Sequence, residues 1–190
     1  MKDLRFAFYC IAICTTLFTN AKQPVTPNII ANADQQQMNN WVEATLSSMS
    51  LEERVGQLFV MTIAPELDEQ HKAKLDRWID TCHIGGLLFS GGYIEKQAIS
   101  TNYAQGKTKI PLLITLDGEW GLGMRLKDSP TFPRALTLGA IQDESLIYKM
   151  GAEIARECRR MGIHVNFAPD ADINDIPTLK RLRKRSFGES

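Results

Sequence analysis

The chain is poor in the features that mark specialised protein classes. It has 4 cysteines in 190 residues. Cys10 and Cys14 fall in an apolar N-terminal stretch, which leaves Cys82 and Cys158 and excludes a fold held by a framework of disulfides. An excess of one charge is also missing. The 22 Lys and Arg are matched by 22 Asp and Glu, so there is no broad electrostatic attraction to nucleic acid or an anionic membrane. The apolar stretch Phe6–Phe18 (FAFYCIAICTTLF) is shorter than the ~20 residues a membrane-spanning helix needs. No HExxH, CxxC, Walker loop or GxSxG occurs. What remains is an ordinary globular balance, 44% hydrophobic and 23% charged.

Residues 1–21 have the layout of a secretory signal peptide: Lys2 and Arg5, the short apolar run, then Thr19-Asn20-Ala21 with small residues at its first and third positions. The competing readings are a tail anchor or a buried helix. Cleavage would remove Lys2, Asp3 and Arg5 and make the product an exported one, periplasmic or extracellular. Residues 22–33 (KQPVTPNIIANA) carry two prolines and no helical period, as a linker does. Cys82 and Cys158 lie in apolar helical patterns, which suits two buried free thiols better than one disulfide.

From Asp34 the chain alternates helical and extended patterns. Asp34 is placed to cap a helix reaching Met49, with Trp41, Val42, Leu46 and Met49 on one side. Ser50-Leu-Glu-Glu53 matches a capping box, and the helix it starts is expected to bury Leu51, Val55 and Leu58. Extended runs are expected at Leu58–Ile63, Ile84–Phe89, Pro111–Asp117 and Ile163–Ile173. Helices are expected over 66–82, over 94–104, and from Asp143 to Gly162, the last with Leu146, Ile147, Met150, Ile154, Cys158 and Met161 as its apolar stripe. Short apolar strands without polar alternation indicate a parallel sheet buried on both faces. The order therefore suits a doubly wound sheet or a (β/α)8 barrel.

Acidic and glycine-rich residues collect just after the strand ends, where both folds carry their sites. Asp117, Glu119 and Arg125 form one constellation. A carboxylate at the rim of the sheet can accept hydrogen bonds from neighbouring hydroxyls of the kind a sugar offers. A loop cap plus a structural salt bridge fits the same three residues. Asp170, Asp172 and Asp175 form a second constellation, in which strand spacing would put Asp170 and Asp172 on one face. Its spacing is not that of a calcium-binding loop. Lys180, Arg181, Arg183, Lys184 and Arg185 make a basic run suited to a solvated surface. His71 is expected to face water, His164 to have a structural role, and Cys82-His83 to be a structural pair.

A series of segments occurs in a fixed order: Val55-Gly-Gln-Leu-Phe59, Ile84-Gly-Gly-Leu-Leu-Phe89, Leu113-Ile-Thr-Leu-Asp117-Gly-Glu119, Phe132-Pro133, Leu138-Gly-Ala140, Met150-Gly151, Gly162-Ile-His-Val-Asn-Phe-Ala-Pro169, Asp172-Ile-Asn174 and Arg185-Ser-Phe-Gly-Glu189. From about residue 48 onward the chain resembles the N-terminal domain of glycoside hydrolase family three, particularly its bacterial β-N-acetylglucosaminidases. The resemblance implies that residues 34–190 form the N-terminal half of a (β/α)8 barrel, with about four strands. It implies a retaining hydrolase acting on terminal β-linked N-acetylglucosamine, a carbohydrate substrate, and no metal or organic cofactor. A β-glucosidase of the same family, or a non-catalytic sugar-binding or partner-dependent module, would share these residues.

By the same resemblance, Asp117 matches the aspartate that holds hydroxyls of the non-reducing sugar. Arg125 matches the arginine closing the following loop, and Arg185 the substrate-contacting arginine of the R-S-F-G stretch. The family's Lys-His loop, its His–Asp acid/base pair and its nucleophilic aspartate would follow Ser190. The 190-residue chain is therefore expected to lack both catalytic groups and to need the other half of the barrel. Two departures stand out. Asp170 occupies a position that is apolar in the family, and the usual N-P-x-N-P-V-I pattern is replaced by Asp175-Ile-Pro-Thr-Leu-Lys-Arg-Leu-Arg-Lys184.

Overall fold

The computed structural model describes residues 34–66, 68–173, 182 and 184–188. Two compact units divide at Thr45 and Leu46. Helix α1 (Gln35–Ser48) starts in the first. Asp34 caps it as expected, its Oδ1 accepting from the amides of Gln36 and Gln37 at 2.9 and 3.1 Å. On its apolar side Trp41, Val42 and Leu46 are exposed.

The second unit holds α2 (Leu51–Gly56), β1 (Val60–Ile63), α3 (Glu69–Asp80), β2 (Gly86–Phe89), α4 (Ile94–Lys107), β3 (Leu113–Leu116), a 3-10 turn (Leu122–Met124), α5 (Ala135–Leu138), α6 (Glu144–Arg160) and β4 (Val165–Asn166). The strands form one parallel sheet in the order β1-β2-β3-β4, each joined to the next by a helical crossover. Consecutive parallel neighbours with helices between them are the winding of a (β/α)8 barrel, and the described residues hold four such strands. A doubly wound sheet would reverse its strand order at a switch point, and this sheet does not.

The expected helix starts follow from capping chemistry. Ser50 accepts from the Glu53 amide at 3.2 Å while the Glu53 carboxylate accepts from the Ser50 amide at 2.8 Å. Asp68 caps α3 and Asp143 caps α6. Gly162 takes φ 66°, the left-handed conformation that ends α6 at low cost.

The core lies where β2 and β3 meet the helices. Leu75, Leu87, Phe89, Ile114 and Leu116 are wholly enclosed. Glycines let two layers touch. A Cβ on Gly56 would collide with the Cys82 carbonyl, and one on Gly85 with the Gln57 carbonyl.

Several expectations are corrected. Leu51, Val55 and Leu58 are exposed, Leu58 at 82%. Helix α2 packs through Gly56, and β1 has a sheet neighbour on one side only, so nothing among the described residues covers that apolar edge. Cys82 is a free thiol but exposed, because α3 ends before it and the residue falls in the following turn. Cys158 is buried and free, and burial pushes its thiol pKa up, which suppresses the reactive thiolate. The expected strand Ile163–Ile173 stops at Asn166. Pro169 has no amide to donate to a ladder, and Asp170–Ile173 adopt no strand, so Asp170 and Asp172 do not share a strand face.

His71 does not face water. It is 6% exposed and its Nε2 lies 2.7 Å from Ser100 Oγ on α4. His71, Leu75 and Ile79 form one i, i+4, i+8 stripe against that helix. Burial lowers the His71 pKa from its ordinary 6.5, with Asp68 and the Ala64 backbone opposing the shift in part. The folded state therefore resists protonating a ring that the unfolded chain protonates readily. Stability is retained above pH 6.5 and falls as the pH drops below that value, until the folded ring also titrates. Urea midpoints measured across this window are expected to decline in the native chain and to change less in His71→Gln. Equal slopes for the two proteins would contradict the assignment.

Candidate functional site

The candidate residues gather at the C-terminal end of the sheet. β3 delivers Asp117 directly after Leu116, and the chain turns at Gly118. The turn is clasped by β4. Asn166 Oδ1 accepts from the Gly118 amide at 2.8 Å, and Asn166 Nδ2 donates to the Gly118 carbonyl at 3.2 Å. Gly118 leaves little room for a side chain, since a Cβ would stand 3.1 Å from Asn166 Oδ1. Asn166 was not singled out from the sequence, although it lies in the N-F-A-P segment.

After Glu119 the loop closes through the 3-10 turn. Gly121 has φ 83° and packs against Phe132, and Arg125 donates its amide to the Leu122 carbonyl at 2.9 Å. This points Arg125 back at the strand end, where its Nη2 lies 2.6 Å from Asp117 Oδ2. Both partners are partly exposed, 29% and 34%, so water and salt weaken the pair and its stabilising value is small. Asp117 keeps acceptor capacity beyond this one contact, as a carboxylate has about four lone-pair sites. The Gly118–Asp128 segment is also tied to the β2 end. Lys127 donates its amide to Gly92 O at 3.0 Å, and Asp128 accepts from the Ile94 amide at 2.9 Å.

Arg185 comes back to the same turn from 66 residues further along the chain. Its Nε donates to both Glu119 oxygens at 2.9 and 3.0 Å and its Nη2 to Glu119 Oε1 at 2.6 Å. Asp170 Oδ2 lies 3.1 Å from the same Nη2. The side chains of Glu119 and Asp170 are each 9% exposed, whereas Arg185 is 45% exposed. Glu119 above all holds the Arg185 pKa above its ordinary value, so the guanidinium stays charged. Asp170 is thus a paired carboxylate at the expected apolar position.

The expected site residues therefore form two ion pairs on either side of Gly118. Asp117 meets Arg125, and Arg185 meets Glu119 rather than Asp117. Asp172 donates its amide to Asp170 Oδ1 and shapes the turn. Asp175, Lys180, Arg181 and Arg183 lie outside the described residues. His164 has the structural role expected of it, its Nδ1 accepting from the Ile114 amide at 3.0 Å. Beside the site, Arg134 stacks 4.2 Å from the Trp120 ring centroid. No cluster of metal-ligating side chains is found among the described residues. A cavity of about 400 Å³ runs from Glu119 along α6, past Met150, Ile154 and Cys158 to Phe187. Its wall is mostly apolar along α6, with Glu119, His164 and Asn166 at the end next to the Gly118 turn.

The position of Arg185 depends on Gly139. A Cβ there would overlap the Phe187 carbonyl, two residues from Arg185. Gly139→Ala is expected to lower stability by about 1–3 kcal/mol. It should also shift the Arg185 Nε–H resonance, because the backbone carrying it must move. An unchanged resonance in the folded variant would contradict this dependence.

The parallel sheet with its helical crossovers is that of a (β/α)8-type barrel. Residues 50–190 match the glycosyl hydrolase family 3 N terminal domain, and the chain belongs to that family. It is 28% identical over 148 residues to a β-N-acetylglucosaminidase/β-glucosidase of Cellulomonas fimi, covering 78% of this chain and 26% of that protein. It is 30% identical over 142 residues to β-hexosaminidase A of Pseudoalteromonas piscicida, covering 68% and 22%. The structure of β-glucoside phosphorylase BglX bound to 2FGlc superposes with a TM-score of 0.74 at 24% identity, over 84% of this chain and 28% of that one. The chain spans about a quarter of the length of these relatives.

Proposed function

We propose that this chain supplies the sugar-binding half of an exported family 3 β-N-acetylglucosaminidase. In this reading Asp117, Arg125 and Arg185 bind the terminal β-linked sugar. The observation that carries it is the Asp117–Arg125 pair at the strand end, 2.6 Å long and open to solvent. A carboxylate held there by one arginine can accept from two adjacent sugar hydroxyls, while the guanidinium donates to oxygens beside them. Relatives bearing hexosaminidase names support the N-acetylglucosamine assignment.

The hydrolytic groups are proposed to come from the other half of the barrel, so that the 190-residue chain binds sugar without cleaving it. Export follows from Lys2, Arg5 and the apolar run Phe6–Phe18. The test is a panel of methyl β-glycosides titrated into the chain. The N-acetylglucosaminide should bind more tightly than the glucoside. The reverse order would favour a β-glucosidase, a second reading that rests on the double name of the Cellulomonas fimi protein.

A further inference from the structure

We propose that Asp170 is a positioning residue that, together with Glu119, fixes the Arg185 guanidinium so that Nη1 is the edge presented to the ligand. The inference rests on the reading of this rim as a sugar site.

Arg185 is a long side chain, and a mobile one would lose substantial rotamer entropy on meeting a ligand. Here the cost is met in advance. Glu119 takes Nε and Nη2 as a two-pronged partner. Two-pronged contact with one carboxylate fixes the guanidinium plane. Asp170 Oδ2 approaches Nη2 from a separate chain segment at 3.1 Å. The two carboxylates are nearly enclosed while the arginine between them is open. That distribution of exposure fits a guanidinium gripped from behind and offered to solvent in front. No acceptor among the described residues contacts Nη1. Asp170 is held in turn by the Asp172 amide on its other oxygen at 3.1 Å, so the grip does not depend on a freely rotating side chain. Asp170 acts through Arg185 and needs no contact with the sugar.

The test is a double-mutant cycle on the 190-residue chain, reading the Kd for methyl N-acetyl-β-D-glucosaminide and the Arg185 Nε–H and Nη resonances of ¹⁵N-arginine-labelled protein. Asp170→Ala is expected to raise Kd about tenfold, the loss of one charge-assisted restraint. In an Arg185→Ala background the same change should alter Kd less than about twofold, because residues acting through one another are not additive. Asp170→Asn, which keeps an acceptor oxygen, should fall between.

Equal effects of Asp170→Ala in both backgrounds would mean that Asp170 touches the sugar or acts on the fold, and would overturn the proposal. No effect in the native background would overturn it as well. If the native chain binds none of the glycosides, the sugar-site reading fails, and the grip is then judged by the resonances alone. Arg185 signals that shift and exchange faster in Asp170→Ala support the grip, and unchanged signals refute it.

Discussion

Asp117→Ala is expected to abolish most sugar binding while leaving the protein folded. Asp117 is a partly exposed carboxylate at the β3 end, held by Arg125. Removing it takes away charge-assisted hydrogen bonds worth about 1.5–3 kcal/mol each. The Kd for an N-acetyl-β-glucosaminide should therefore rise by one to two powers of ten or more. Arg125 is partly exposed and can find water once its partner is gone, so the fold should lose no more than about 1 kcal/mol. Asp117→Asn keeps the shape without the charge and should be intermediate. Titration and urea denaturation on the same variants separate the two effects. Unchanged affinity in Asp117→Ala, or a parallel collapse of stability, would make Asp117 a structural residue.

The second large effect is an absence. The 190-residue chain is expected to release no 4-nitrophenol from 4-nitrophenyl N-acetyl-β-D-glucosaminide above the buffer rate. Retaining hydrolysis needs a free carboxylate nucleophile and an acid/base group about 5–5.5 Å away. Among the described residues, Asp117 is engaged by Arg125, and Glu119 and Asp170 by Arg185. A carboxylate stabilised by a guanidinium is a good hydrogen-bond acceptor and a poorer nucleophile. Measurable turnover by pure chain, lost in Asp117→Ala or Glu119→Gln, would show that one of these groups takes the nucleophile's role.

The parts of the fold legible from sequence were those with local causes. Asp34, the Ser50–Glu53 box and Asp143 announce helix starts because capping is settled within four residues. The apolar, non-alternating runs announce strands buried on both faces, and β2 and β3 are such strands. The Asp117–Arg125 pair was also legible, since only seven residues of glycine-rich loop separate its members.

What was not legible depends on distance. His71 lies in a charged helix, and only its i+4 and i+8 relations to Leu75 and Ile79 hint at burial. Helix α4 buries Gln97, Ser100 and Thr101, a polar stripe that a hydrophobic pattern does not reveal. The exposure of Leu51, Val55 and Leu58 depends on what covers β1, and no local rule supplies that. Arg185 meets Glu119 across 66 residues, and Asp170 enters the same site from a third segment. The sequence marked Asp170 as out of pattern; the contact with Arg185 gives it a reason to be charged.

The central claim is that the turn around Gly118 is where this chain meets a sugar. Backbone and arginine side-chain resonances of the ¹⁵N-labelled chain should be followed during titration with methyl N-acetyl-β-D-glucosaminide. The account predicts saturable shifts confined to Asp117–Glu119, Arg125, Asn166 and the Arg185 guanidinium. Shifts that instead centre on Met150, Ile154 and Cys158 of α6, or no saturable shifts at all, would contradict it.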